Sequence, residues 1–258
     1  MTLPPHLKAL PTKGSTLVTL TGFNFGTAER ARTGGMIVTY GAIGYGYTAV
    51  RCNVTVPQTE VQCLSVEGIG KNHHWIISHN IETANGGIGA VSPPSEATTS
   101  YIPPEISTIY VSNATSNHEL LTAGGDVVVL NGSNFGPKGT NVIGRYQNDD
   151  NSDGRGVLLS GLMHTVPNCT VVVESTVVKC TTIPGVGAHH RWYLIVAGQA
   201  SAPSSSTTSY KPPEVLAVSR FRDGKNFAAA KLLETNGSQA VYINGTNFGP
   251  ATDYSSVR

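Results

Sequence analysis

"NGSNFGP" occupies residues 131–137, "NGTNFGP" residues 244–250 and "TGFNFGT" residues 21–27, so a chain of 258 residues writes nearly the same turn three times, at intervals of 110 and 113 residues. A single turn needs no such repetition. A module carried in tandem does.

The register extends outward from the turn. "CNVTVPQTEVQC" at 52–63 corresponds to "CTVVVESTVVKC" at 169–180, and "GIGKNHHW" at 68–75 to "GVGAHHRW" at 185–192, both offset by 117 residues. The closing "EATTSYIPPEI" corresponds to "SSTTSYKPPEV" at an offset of 109, so the units carry loops of unequal length on one scaffold. Proline pairs punctuate the repeats at Pro4 and Pro5, Pro103 and Pro104, and Pro212 and Pro213. Tandem prolines hold the backbone as a short extended spacer. Unit boundaries are therefore expected at 1–103, 104–212 and 213–258, the last being the truncated start of a third repeat, too short to close a core alone.

Within a unit the apolar residues recur with a period of two, as in Val127 and Val129 or Val171 and Val173. "TLVTLTG", "DVVVLNG" and "AVYINGT" read as one recurring strand, and "HWIIS" and "RWYLIVAG" as another. No segment sustains helical spacing, although "KNFAAAKLLE" at 225–234 suits one short helical turn. The expected fold is all-β, an antiparallel β-sandwich over 104–212 and its relatives. In Gly-x-Asn-Phe-Gly the two glycines can take positive φ, the Asn side chain can bond its own backbone and the Phe can point into the core. A phosphate-binding loop would need a following helix and another glycine spacing.

Charged residues make up 13% of the chain, the formal net charge is +1 and no Lys/Arg cluster occurs. That balance leaves no footprint for nucleic acid, and no apolar run is long enough for direct membrane contact by a spanning helix. Four cysteines form two C-x10-C pairs around a midpoint turn, which places Cys52 opposite Cys63 and Cys169 opposite Cys180. Two disulfides are expected, with free thiols the alternative, and the oxidised form favours an extracellular or cell-surface location. His73 and His74, and likewise His189 and His190, follow the cysteine pairs. Neighbouring strand residues face opposite ways and structural zinc brings its cysteines closer in sequence, so strand histidines beside core tryptophans Trp75 and Trp192 are the expectation over zinc.

The G-x-N-F-G turns at Gly22–Gly26, Gly132–Gly136 and Gly245–Gly249, the "VVKCTTIPGVGAHHRWYLIV" stretch and the closing "TTSYxPPE" resemble the IPT/TIG family (immunoglobulin-like, plexins, transcription factors). The resemblance implies tandem immunoglobulin-like (E-set) antiparallel β-sandwiches, similar to the repeats of extracellular receptors such as plexins and fibrocystin. It implies no catalysis. The expected function is a non-catalytic extracellular binding or adhesion module of a larger cell-surface or secreted protein, with a protein or glycan ligand at the unequal surface loops, 80–96 and 146–166. The alternatives are accessory, carbohydrate-binding domains of a secreted hydrolase, for which Tyr40, Tyr45 and Tyr47 are the only cluster able to stack on sugars, and a Rel-like DNA-binding factor, which would need basic loops. A Tyr-rich strand packing inward is the commoner use of such a cluster.

Remaining motifs are weighed singly. Asn-x-Ser/Thr sequons stand at Asn53, Asn113, Asn131, Asn168, Asn236 and Asn244, a number that the Ser- and Thr-rich composition itself largely produces. Asp149, Asn151 and Asp153 followed by Gly154 match the first half of a calcium loop, but Ser160 stands where a bidentate glutamate is required. A solvated turn is expected there, a weak calcium site being the alternative and the one metal the sequence suggests; no other cofactor is indicated. Nucleophile-elbow, His-Glu-x-x-His and P-loop patterns are absent, and the chain reads as no enzyme.

Overall fold

The computed structural model describes residues 9–32, 35–44, 46–79, 89–112, 118–148, 163–222, 225–229, 235, 237 and 240–251. The proposed calcium residues Asp149, Asn151 and Asp153, the sequons at Asn113 and Asn236, Tyr45 and most of the two candidate contact loops lie outside them. The chain is all-β, with several antiparallel sheets and, among the described residues, one five-residue helix, α1 (Ala28–Arg32).

Residues before Pro103 supply β1 (Ala9–Leu10), β2 (Leu17–Thr21), β3 (Met36–Gly41), β4 (Tyr47–Thr48), β5 (Val50–Val56), β6 (Glu60–Leu64), β7 (His74–His79) and β8 (Ser100–Tyr101). They form one layer in the order β2-β6-β5 and another in the order β4-β3-β7, while β1 and β8 pair in parallel. The next stretch supplies β9 (Glu105–Val111), β10 (Glu119–Leu120), β11 (Val127–Ser133), β12 (Asn141–Asn148), β13 (His164–Val173), β14 (Val177–Thr181), β15 (His190–Val196), β16 (Gln199–Ala200) and β17 (Thr207–Tyr210). Here the same pairings recur in one sheet, β10-β17-β15-β12-β13-β14-β11-β9, with β16 on β15. The reason is the long β13, which pairs with β12 and with β14 and so does the work of β4 and β5 together.

Alternation fixes which side chains face inward. In β15, His190, Trp192, Leu194 and Val196 are buried while Arg191, Tyr193 and Ile195 are only partly covered. Two separate apolar cores result, one on either side of the Pro103–Pro104 pair. Leu10, Val18, Leu20, Tyr40, Trp75 and Tyr101 anchor the first; Leu130, Phe135, Tyr146, Trp192, Leu194 and Tyr210 anchor the second. Each such side chain contributes about 1.5–3 kcal/mol on burial.

After Pro213, β18 (Glu214–Arg222), β19 (Lys225–Ala229) and β20 (Val241–Thr246) form a three-stranded sheet in the order β19-β18-β20. The short helical turn expected at 225–234 is not formed over its first half, where Lys225–Ala229 pairs antiparallel with β18 instead. Residues 230–234 lie outside the described set. Helix propensity is a weak local preference, and antiparallel pairing with a neighbouring strand overrides it.

Candidate functional site

The repeated turn is held by the tip of the cysteine hairpin. In the first unit the Gln58 N–H donates to the Gly26 carbonyl and in the second the Ser175 N–H donates to the Gly136 carbonyl, both at 2.8 Å. In return the Phe25 and Phe135 N–H groups donate to the Gln58 and Ser175 carbonyls at 3.1 and 3.2 Å. Only the last glycine of the motif has positive φ, 81° at Gly26 and 90° at Gly136; the other left-handed residue is the Asn, at 64° and 61°. Of the two glycines able to take positive φ, one does. The first glycine is there for space, since a Cβ on Gly22 or Gly132 would fall 2.6 Å from Cζ of the motif's own phenylalanine. Phe25 and Phe135 are buried, whereas Phe248 of the third turn is half exposed.

Cys52 is bonded to Cys63 and Cys169 to Cys180, with Cα atoms 4.1 and 4.2 Å apart. In the second unit the cysteines are direct cross-strand partners, and in the first the β5–β6 register shifts beside them. With their sulfurs joined, these residues offer no thiolate to a metal. Among the described residues no group of three His, Cys, Asp or Glu side chains converges.

Behind each hairpin stands a ladder of stacked rings. Trp75 stacks on Tyr40 at 4.2 Å and Tyr40 on Tyr47 at 5.1 Å; Trp192 stacks on Tyr146 at 4.4 Å and Tyr146 on His164 at 4.8 Å. The same backbone register sets both, since Tyr40 pairs with Trp75 and Tyr47, and Tyr146 with Trp192 and His164. Each indole N–H donates to a threonine hydroxyl, Thr99 at 3.1 Å or Thr208 at 3.0 Å. Tyr40 and Tyr146 meet a second tyrosine hydroxyl, Tyr101 at 2.8 Å and Tyr210 at 2.5 Å, and these donate onward to the carbonyls of Val66 and Ile183. Burial pushes all four phenols above their ordinary range, so they stay neutral. Tyr40 is thus buried in the core and Tyr47, half-buried, packs against it.

The buried histidines are the equivalents His73 and His190, each two residues before its tryptophan, while His189 is exposed and corresponds to Asn72. Neither ring nitrogen of His73 or His190 has a hydrogen-bond partner, nor does Nε2 of His164. Burial lowers the His73 and His164 pKa; burial and the neighbouring His164 push His190 down to about 4. The backbone of Val186 and Gly187 lies near enough to oppose that shift in part without making a bond of ordinary geometry to His190.

Over the rings runs the Gly-apolar-Gly loop, and it meets the next unit. Added Cβ atoms on Gly68 and Gly70 would strike Tyr101, Tyr47 and His73; on Gly185 and Gly187 they would strike Tyr210, His164 and His190. Between the glycines, Ile69 packs on Gly136 and Val186 on Gly249, so in both cases the loop of one unit sits on the last glycine of the following unit's turn. The first seat is reinforced by Thr12 Oγ1 and Ser175 Oγ at 2.5 Å and by the Gln199 amide donating to the Tyr101 carbonyl at 2.8 Å. Sequence reasoning missed this seat and His164, although the repeated "GIG" and "GVG" and the 117-residue offset, which aligns Tyr47 with His164, were legible signals.

Of the described sequons, Asn53, Asn168 and Asn244 are exposed; Asn131 is half-buried, its amide donating to the Thr108 hydroxyl at 3.1 Å. No helix among the described residues is long and apolar enough to cross a membrane.

No family model matches this chain, and no curated protein does. Among solved structures it is similar to SGBP-B from a complex xyloglucan utilization locus in Bacteroides uniformis, with 12% identity and a TM-score of 0.27 over 78% of this chain. This chain spans 46% of that protein, and a likeness so distant carries nothing about ligand or activity.

Proposed function

We propose that the chain is a non-catalytic extracellular binding module of IPT/TIG type, whose repeats form a stiff scaffold and whose unequal loops contact a protein or glycan. One observation carries this reading. Among the described residues the four cysteines are spent in disulfides, and Tyr40, Tyr101, Tyr146, Tyr210, His73, His164 and His190 are spent in buried cages that belong to the framework. What differs between the units is the length of the connecting segments, the usual place for recognition on a repeated scaffold. Disulfides support the extracellular location. Several repeats on one chain would act by avidity.

The test is a binding screen of the immobilised chain against glycans and cell-surface proteins, repeated with residues 149–162 replaced by a short Gly-Asn linker. Binding that disappears with an unchanged melting temperature is the expected result. Substrate turnover, or binding that survives replacement of this segment and of 80–88 together, would overturn it.

A further inference from the structure

We propose that the seat between the second and third units is an acid-sensitive joint, because its Gly185–Val186–Gly187 loop rests on the buried His164–His190 pair, and that the seat between the first and second units resists acid, because Tyr47 replaces one of the two histidines.

The loop lies between the histidines and the partner unit. On its inner side a Cβ at Gly185 would stand 2.7 Å from His164 Cε1, and one at Gly187 would stand 3.0 Å from His190 Cε1. On its outer side Val186 packs against Gly249. The two imidazoles are 5.4 Å apart, edge to face, with neither His190 nitrogen nor His164 Nε2 partnered. A proton on either ring would sit in a cage where the nearby Val186 and Gly187 backbone offsets the cost of burial only in part, and a second would repel the first. Relief requires a ring to turn toward water, and the loop packed on it has to move.

The other ionisable groups nearby do not compensate. Tyr146 from β12 and Tyr210 from β17 stay neutral, and Asp126 acts on those tyrosines while its Oδ2 accepts the Leu121 N–H at 2.6 Å. His189, exposed beside the loop, adds positive charge that opposes protonation of His190. Arg145 and Arg191 belong to the opposite faces of β12 and β15.

In the first joint only His73 lies under the loop. Tyr47 holds Ile69 instead, its hydroxyl donating to the Ile69 carbonyl at 2.9 Å and accepting from the Ile69 N–H at 3.0 Å. These two bonds tie the loop to the ring beneath it where the second joint has an imidazole.

Hydrogen exchange of the full chain at pH 7 and pH 5, corrected for the intrinsic rate, tests the contrast within one molecule. Amides of 183–187 and 244–250 are expected to lose protection about ten-fold at pH 5, against less than about two-fold for 66–70. His164→Tyr should abolish that loss, and Tyr47→His should confer it on the first joint. Equal loss at both joints of the unmodified chain, no loss at either, or a loss unchanged in whichever of the two variants folds would overturn the proposal. Since ligand binding is not read, the outcome is independent of the proposed function.

Discussion

The first and second units differ at one rung of an otherwise shared ladder: Trp75, Tyr40, Tyr47 in one and Trp192, Tyr146, His164 in the other. Position, neighbours and register are the same, but a phenol that makes two backbone hydrogen bonds has been exchanged for an imidazole with an unpartnered nitrogen. The comparison teaches that the framework specifies a flat ring at this rung and leaves its protonation chemistry free.

If the ladders are equivalent, removing their largest ring should cost the same in each unit. Trp75→Ala and Trp192→Ala should each destabilise the affected unit by about 3–5 kcal/mol in chemical denaturation, since each indole is fully buried. A cost confined to one unit breaks the comparison. The hairpin disulfides come next. Cys63→Ala with Cys52→Ala, or Cys180→Ala with Cys169→Ala, should each cost about 2–3 kcal/mol, measured the same way, because a short closed loop removes less entropy from the unfolded chain than a long one.

Acid should separate the units. His190 is pushed down to about 4 when folded, against about 6.5 when unfolded, so between those values the unfolded chain binds the proton and the folded chain does not. Stability is therefore full above about pH 6.5 and falls as pH drops toward 4. His73 shifts in the same direction without a second histidine in its cage, so the melting temperature of the second unit should drop more between pH 7 and pH 5. Calorimetry that follows both units checks this.

The smallest effect belongs to the seat. Gly136 and Gly139 both have positive φ, 90° and 88°, but a Cβ on Gly139 meets nothing within 4 Å, whereas one on Gly136 strikes Ile69 of the preceding unit. Gly139→Ala should cost about 1 kcal/mol for the backbone alone, and Gly136→Ala about 1–2 kcal/mol more for displacing Ile69. Equal costs would mean that the seat contributes nothing.

What the sequence disclosed depended on how local the signal was. The cysteine hairpins and the strand of Trp192 were legible because their partners lie within a few residues or follow a period of two. The turn was legible as a turn, but the job of its first glycine was not, since that rests on where Phe135 folds back. The ladder joins Tyr146 to His164 across an insertion that the first unit lacks, and the seat joins Val186 to Gly249 across a unit boundary. Contacts of that kind leave no local periodicity, and only aligning the two repeats, GIG on GVG and Tyr47 on His164, points to them. The strand at Lys225–Ala229 went unseen because its pairing with β18, and not its alanines, decides its shape.

The claim that the two units are one framework built twice is tested most directly by intact mass and peptide mapping of the unreduced, denatured chain in the presence of an alkylating agent. The account predicts no alkylation until a reductant is added, then modification of all four cysteines, with Cys52 linked only to Cys63 and Cys169 only to Cys180. Alkylation without reduction, or a peptide joining a cysteine of one unit to a cysteine of the other, would contradict it.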